Sequence, residues 1–514
     1  MTTTPHYDLS PENLGRAIAR LTVALGVDAV LAAPDQVAEF HDPYEGEGAT
    51  EFQPSFVVQP ASVEEVQSVL RIATELRIPV WTSSMGRNFG YGGSAPVVSG
   101  SIVLSLRRMN RVLEISEDGA YAVIEPGVRF FDLYEAIKAS GAKLWMSVPD
   151  LGWGSVIGNA LEHGFGSTVY GDHASAIHGM EVVLANGEVI RTGFGAASGS
   201  SDGLWHRHRR GFGPSLDSVF FQSNFGVVTK VGIWLMPQPE TFISGWLAVP
   251  DEQALPVVVD ALRPLVLDGT IQGLPLMMSA LGTPGVQPGG SDADASYSTL
   301  PLPARYLIRY SFYDRTPIAE ARSAIVREAL ANVPVHIDER RYAGDAGQDQ
   351  IDDIDWLPAG IPNMKMIEDL KAVFGENYAH IDFSAVIPFD GASAAAHEQL
   401  IREVLAKVGL TGAFAWITNS RTLVGILMIG YDVRDRAQAE TARQAARTLA
   451  ARAAERGWYE YRAHPSLIPD VVKHFDFGDH SLYRTYGRIK DALDPAGILS
   501  PGNHGIWPSV AKQD

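Results

Sequence analysis

The 514-residue chain contains no cysteine. That absence removes disulfides, thiolate nucleophiles, thiolate zinc and iron–sulfur sites, and any cofactor tethered through sulfur. Positive charge is scarce as well: 41 Lys and Arg stand against 60 Asp and Glu, a net charge of −19. This balance opposes broad, salt-dependent attachment to DNA, RNA or anionic lipid, so neither nucleic acid nor a membrane is expected as a partner. Long apolar runs are missing too. None approaches the ~18 residues of a spanning helix, and the N-terminal MTTTPHYDLSPENLGRAIARL lacks a basic patch followed by an apolar core. A cytoplasmic location is the default expectation. With 46% apolar, 9% aromatic and 20% charged residues the chain is globular, not disordered. At ~150 residues per domain its length suggests two or three domains.

Strand and helix signals are mixed throughout, which gives an α+β class. After Pro60, the capping-box pattern Ser62-Val63-Glu64-Glu65 leads into Val66, Val69, Leu70, Ala73 and Leu76 at helical spacing. A strand from Ser101 to Leu106, a hairpin from Val112 to Ile124 turning at Asp118-Gly119, and a helix from Phe130 to Ser140 closed by Gly141 follow. A second hairpin, Met180–Leu184 with Glu188–Arg191, turns on Asn186-Gly187. Beyond Pro237-Gln238-Pro239 the character changes, with amphipathic helices, a Gly/Pro/Ser/Asp-rich loop from Gly282 to Pro303, and an Ala/Arg-rich helix from Arg434 to Arg456 stopped by Gly457. This later region reads as a second domain.

Gly90-Tyr91-Gly92-Gly93-Ser94-Ala95 formally satisfies a GxGxxA dinucleotide fingerprint, but Pro96 and a β-rich run follow where a helix is required. The Rossmann reading fails on that context. Four glycines between Gly86 and Gly93 are compatible with a concavity of backbone N–H groups that suits a phosphate, and equally with a tight surface turn. A second glycine block runs from Pro149 through Gly152, Gly154, Gly158, Gly164 and Gly166 to Tyr170-Gly171-Asp172-His173, and a third is Asn224-Phe225-Gly226-Val227-Val228. Three such sites in one domain favour a large bound cofactor over three unrelated turns. His206-Arg207-His208-Arg209-Arg210 has an H-x-H spacing, but its arginines repel a cation, so no metal site is expected.

On GRNFGYGGSAP (Gly86 to Pro96), EPGVRFFDLYEAI (Glu125 to Ile137), PDLGWGSVIGNALEHGFG (Pro149 to Gly166), YGDH (Tyr170 to His173), GMEVVLANGEVIRTGFGA (Gly179 to Ala196), QSNFGVVTKVGIWLMP (Gln222 to Pro237), Tyr461-Arg462 and LDPAGILSPG (Leu493 to Gly502), the chain resembles the vanillyl-alcohol oxidase and p-cresol methylhydroxylase family of FAD enzymes, near its eugenol oxidase branch. The match is dense over residues 55–240 and 457–507. It implies an FAD-binding domain built from residues 1–238 and 457–514, interrupted by a substrate-covering cap at 239–456. By resemblance, Ser84, Met85, Gly86, Arg87 and Asn88 would wrap the pyrophosphate, and Pro149, Gly154, Ser155, Gly158, Asn159, Tyr170, Gly171, Val228 and Arg462 would line the cofactor. Tyr91, Tyr461 and Arg462 match a phenolate-binding trio: a guanidinium and two phenol hydroxyls suit such an oxyanion. Asp150 matches the family's aspartate near flavin N5. The implied reaction is hydride transfer from the benzylic carbon of a para-substituted phenolate, through a p-quinone methide, with Asp150 activating water or taking a proton.

The chain departs from that pattern in three places. Where family oxidases carry a flavin-linking histidine in an Arg-x-Met-His-His run, this sequence reads Arg421-Thr422-Leu423-Val424-Gly425-Ile426. The methylhydroxylase branch uses a tyrosine instead, and here Tyr378 is the sole candidate, out of register. FAD is therefore expected to be bound non-covalently. Phe165 and Ser167 in Gly164-Phe165-Gly166-Ser167, together with Val424, are expected to reshape the substrate pocket, and Asn503-His504 replace the usual lysine of the tail. Rival readings are the same fold acting on a non-phenolic alcohol and a flavin-binding protein without turnover. The partners implied are a small aromatic substrate, dioxygen or a protein as electron acceptor, and a second copy in a homodimer.

Overall fold

The computed structural model describes residues 7–46, 51–199, 204–279 and 304–509. The loop expected from Gly282 to Pro303 lies outside the described residues. The class is α+β, as expected, and among the described residues the elements form three larger sheets with separate cores and a two-stranded one, Leu144–Trp145 with Met236–Pro237.

The first sheet orders Val30–Leu31, Phe56–Val58, Ile102–Ser105 and Val80–Ser83, the last three mutually parallel. Its covering helix is Val63–Leu76, where Ser62 Oγ accepts the Glu65 N–H at 3.3 Å and satisfies one free donor of the first turn. The buried stripe Val66, Val69, Leu70, Ile72, Ala73 and Leu76 packs on that sheet, each apolar side chain contributing ~1.5–3 kcal/mol on full burial. The helix ends at Arg77, whose φ of 53° breaks the repeat. Residues from Ser84 onward therefore leave the carboxyl end of a parallel strand, where open α/β sheets place their ligands. No helix follows Ala95, which accords with rejection of the Rossmann fingerprint.

A second, antiparallel sheet of five strands contains both expected hairpins, Val112–Ser116 with Tyr121–Ile124 and Ile177–Val183 with Val189–Arg191, joined by the central strand Val227–Trp234. At the second turn Asn186 Oδ1 accepts the Glu188 N–H at 2.9 Å. The helix Phe130–Ser140 closes on Gly141 as its spacing predicts.

The third sheet is antiparallel, with eight strands in the order His336–Ala343, Thr241–Val249, Tyr306–Asp314, Gln272–Ser279, Gly412–Asn419, Thr422–Asp432, Tyr378–Pro388, Tyr459–Glu460. One face carries the helices Ala254–Leu267, Gly391–Val408 and Arg436–Ala454. The last is the Ala/Arg-rich helix: Ala439, Ala442, Ala445, Ala446, Leu449, Ala450 and Ala453 form its buried stripe, while Arg447 pairs with Asp470 and Arg452 with Glu403. The edge strand Tyr459–Glu460 runs directly into Tyr461-Arg462, so the sheet sets where that pair stands.

The C-terminal tail returns to the first sheet. Val80 N–H donates to Ile498 O at 2.7 Å and Ser500 N–H to Val80 O at 2.6 Å. Behind this contact the fully buried Lys490 pairs with Asp494 at 2.8 Å and donates to the carbonyls of Asn224 at 2.7 Å and Leu499 at 2.5 Å. A buried ammonium is tolerated only when its donors are all matched in this way.

Candidate active site

A cavity of about 1040 Å³ runs from the Ser84–Asn88 loop past Gly154–Asn159 to Tyr461-Arg462 and the eight-stranded sheet. Small-molecule sites span ~300–1,000 Å³, so there is room for a dinucleotide-sized group and a small second ligand. At the loop end the chemistry is that of backbone. No N–H from Met85 to Asn88 is engaged in a hydrogen bond among the described residues. Asn88 Oδ1 is buried without a partner and awaits a donor. Gly86 has a φ of +63°, and a Cβ there would stand 1.8 Å from Ser94 Oγ. Open donors, an orphaned acceptor and a glycine that holds the loop open fit the phosphates, sugar and adenine of FAD.

The opposite end is built from side chains. Tyr91 lies on the short 3-10 turn Phe89–Tyr91, and the Arg462 guanidinium sits 4.2 Å above its ring. Tyr461 stands beside both, and Arg462 and Tyr91 each lower its phenol against the effect of burial. Burial pushes both phenols above their ordinary range, although Arg462 opposes the shift. Burial disfavours the Arg462 charge, but the two tyrosines and Glu162 more than restore it. The result is a fixed cation with two neutral O–H donors at one point, which suits an anionic oxygen. The Tyr461 carbonyl accepts Gln222 Nε2 at 2.7 Å, and the Phe165 ring centre lies 5.6 Å from the Tyr461 ring.

Asp150 also lines the cavity. Burial raises its carboxyl above the usual range, with Arg309 opposing. Arg309 is itself held by Ser167, whose Oγ accepts Nη2 at 2.8 Å. Glu162 and His504 form an ion pair at 3.1 Å on the wall. Burial pushes Glu162 up, yet His504 and Arg462 outweigh it and hold the carboxyl at about 2. His173 bonds Asn159 Oδ1 at 2.6 Å and Ser147 Oγ at 2.9 Å, and burial lowers it to about 3, so it supports the wall as a neutral ring.

Ser84 to Asn88, Pro149, Gly154, Ser155, Gly158, Asn159, Phe165, Val228, Tyr91, Asp150, Tyr461 and Arg462 all line this one cavity. Four expected residues do not. Tyr170 packs beside Trp234, and Gly171 is turned away because Gly166 N–H donates to its carbonyl at 2.8 Å in a closed loop. Ser167 acts on the site through Arg309 and not as a wall residue. Val424 sits opposite Val386 on Thr422–Asp432, and the cavity is reached two and four residues later, at Ile426 and Met428.

The sequence reading missed one strand face. His380, Asp382 and Ser384 alternate along Tyr378–Pro388 toward the turn carrying Tyr91. His380 Nδ1 bonds Asp382 Oδ1 at 2.5 Å, and both residues are buried and line the cavity. Gly90 permits this approach, since a Cβ there would stand 2.4 Å from Asp382 Oδ1. The available signal was polar residues at period two inside an apolar strand, His-Ile-Asp-Phe-Ser, which marks a buried polar face. Tyr378, the tyrosine weighed as a flavin link, is stacked between Phe374 and His380 and does not line the cavity.

Among the described residues no helix is long and apolar enough to cross a membrane, and no group of three potential metal ligands occurs. Residues 54–193 match the FAD binding domain family. The chain is 30% identical to the 4-cresol dehydrogenase [hydroxylating] flavoprotein subunit of Pseudomonas putida over 511 residues, covering 96% of this chain and 95% of that protein. Among solved structures, 4-ethylphenol oxidase from Gulosibacter chungangensis in its isoeugenol complex superposes with a TM-score of 0.89 at 34% identity, over 98% of this chain and 99% of that one. Substrate-bound p-cresol methylhydroxylase gives 0.87 at 29% identity, over 97% and 98%. Full-length similarity of this kind, together with a cavity shaped for FAD, means that the chain belongs to the p-cresol methylhydroxylase and vanillyl-alcohol oxidase family of FAD-dependent oxidoreductases.

Proposed function

We propose that this enzyme oxidises para-substituted phenols, 4-alkylphenols or 4-hydroxybenzylic alcohols, at the benzylic carbon. The observation that carries the reading is the Arg462 guanidinium 4.2 Å over the Tyr91 ring, with both tyrosine hydroxyls beside it at the cavity wall. Tyr91, Tyr461 and Arg462 bind the substrate oxygen and favour its anion; the phenolate then feeds electron density to its para carbon and makes the benzylic C–H hydridic. Ser84–Asn88, Pro149, Gly154, Ser155, Gly158, Asn159 and Val228 would hold FAD, which would supply a hydride acceptor. Loss of that hydride leaves a p-quinone methide, and Asp150 takes a proton from the exocyclic carbon side chain or from an attacking water. Burial raises the Asp150 carboxyl, which makes it a stronger base than an exposed aspartate. Dioxygen or an electron-transfer protein accepts the electrons. On this reading residues 1–238 and 457–514 bind FAD and 239–456 form the cap.

Mode of attachment has a second reading, favoured by a specific observation. The expectation of a dissociable flavin rested on Arg421–Ile426, on Tyr378 being out of register and on the lack of cysteine, but the strand Tyr378–Pro388 brings His380 to the cavity, with Nδ1 engaged by Asp382 and Nε2 left as the nucleophilic nitrogen. A histidine of this kind suits a covalent link to the flavin. Acid precipitation separates the two: a yellow pellet supports the His380 link, and a colourless one supports dissociable FAD.

The substrate class is tested anaerobically by mixing purified holoenzyme with 4-alkylphenols, 4-hydroxybenzyl alcohols and their O-methyl ethers. Loss of the flavin's visible absorbance with the free phenols alone is the expected result. Reduction by the ethers at equal rate refutes phenolate binding, and no reduction by any donor refutes the enzymatic reading.

A further inference from the structure

Ser384 is fully buried on the cap strand Tyr378–Pro388, and its Oγ lies 2.5 Å from the Tyr91 hydroxyl. Its backbone is clamped on both sides: its N–H donates to Glu460 Oε2 at 3.3 Å, and its carbonyl accepts the Tyr461 N–H at 3.1 Å. The serine is thus fixed against the two residues that immediately precede Arg462, and its hydroxyl faces Tyr91. Each hydroxyl in this cluster has one proton, so the direction of the chain decides what Tyr91 can offer a ligand. If Tyr91 gave its proton to Ser384, a substrate oxygen would meet a lone pair. Ser384 donating to Tyr91 has the opposite effect, leaving the Tyr91 proton for the cavity and making it more acidic through cooperative polarisation. Tyr461 and Arg462 line the same cavity as Tyr91, so the proton left free is offered where an anion binds.

Resting on the phenolate reading above, we propose that Ser384 is a positioning residue whose hydroxyl donates to Tyr91 and so commits the Tyr91 proton to the substrate oxygen. It does not touch the reacting carbon; it sets how strongly Tyr91 favours the phenolate over the phenol. The charged and titratable groups facing Tyr91 are Arg462, Tyr461 and Asp382, while Glu460 stands behind Ser384. None of them replaces a donor to the Tyr91 oxygen when the serine hydroxyl is removed.

The test uses holoenzyme and 4-fluorophenol, which has no benzylic carbon to oxidise and whose fluorine resonance reports ionisation of the ring oxygen. In the unsubstituted enzyme the bound ligand is expected to ionise at lower pH than free 4-fluorophenol. Ser384→Ala should weaken the preference for the bound anion about three- to tenfold, read as a rise in the bound ligand's midpoint, as expected for loss of one hydrogen bond. Ser384→Cys, a poor donor of similar size, should behave like alanine, so the expectation stands if the alanine protein fails to fold. Ser384→Thr should restore the original midpoint. In a Tyr91→Phe background the alanine change should add nothing, because the group it acts through is gone. A midpoint unchanged in both Ala and Cys variants, or a shift that persists without the Tyr91 hydroxyl, overturns the positioning role. Should the unsubstituted enzyme bind 4-fluorophenol with an unperturbed midpoint, phenolate binding itself falls and this role with it.

Discussion

The two ends of the cavity are made differently. At the Ser84–Asn88 end, donors come from a single short stretch of backbone that leaves one parallel strand. At the Tyr91–Arg462 end, side chains come from an early turn, a cap strand and the segment after an edge strand, separated by up to 371 positions between Tyr91 and Arg462 (462 − 91). A backbone site tolerates exchange of most side chains but not of its glycine, whereas the side-chain site depends on each group it gathers. The first fixes where a cofactor lies; the second decides what is done with it.

That contrast breaks most visibly at Arg462. Arg462→Met should lower kcat/KM for 4-alkylphenols by about 10²–10³-fold, since it removes the cation that stands 4.2 Å over the Tyr91 ring, while flavin content stays at the parental level. Steady-state kinetics beside a flavin-to-protein absorbance ratio checks it; flavin lost in parallel would mean that the two ends are not separable. The converse change is Gly86→Ala. A φ of +63° and a Cβ 1.8 Å from Ser94 Oγ leave no space, so bound FAD should fall about tenfold while each loaded molecule keeps its turnover. His380→Ala addresses the seam between the ends: with the histidyl link, flavin retained by acid-precipitated protein should vanish while the cavity still binds added FAD, measured by fluorescence of the supernatant.

The last expected effect is on stability. Burial, reinforced by Asp382 and Asp470 against the Ser384 N–H, raises Glu460 from its ordinary 4.5 to about 8. Between those values the folded protein holds a proton that the unfolded chain has released, so this group costs increasing stability as pH rises from about 4.5 to 8 and a constant amount above. Glu460→Gln has no such dependence. Its Tm advantage over the parent should therefore grow from pH 5 toward pH 8 and then level off; a constant difference across that range contradicts a protonated Glu460.

Sequence patterns revealed the local half of this structure. The Ser62-capped helix, both hairpins and the Gly141 stop depend on neighbours within a few residues, and they stand where spacing places them. Tyr91, Asp150, Tyr461 and Arg462 became recognisable only together, through resemblance, because no local rule joins a glycine-loop tyrosine to a Tyr-Arg pair beyond the cap. The strand order of the eight-stranded sheet was not legible: Gln272–Ser279 pairs with Gly412–Asn419 across long intervening chain, and such pairing is decided by packing. His380 is a different case: it lies two residues beyond Tyr378 on the strand where a linking tyrosine was expected, and a tyrosine-based expectation passes over the histidine that stands opposite Gly430. Val424 was assigned to the pocket on residue identity, but distance along its strand keeps it off the wall.

The bond pair between Val80 and the Ile498–Ser500 segment has a consequence for biosynthesis. Ser500, Asn503 and His504 are wall residues of the cofactor cavity, yet they leave the ribosome more than 400 residues after the strand they complete, since Ser500 lies 420 positions beyond Val80. During translation the N-terminal sheet waits with that edge open while the entire cap emerges. A chain cut between Thr241 and Ala454 lacks both the edge partner of Val80 and these three wall residues.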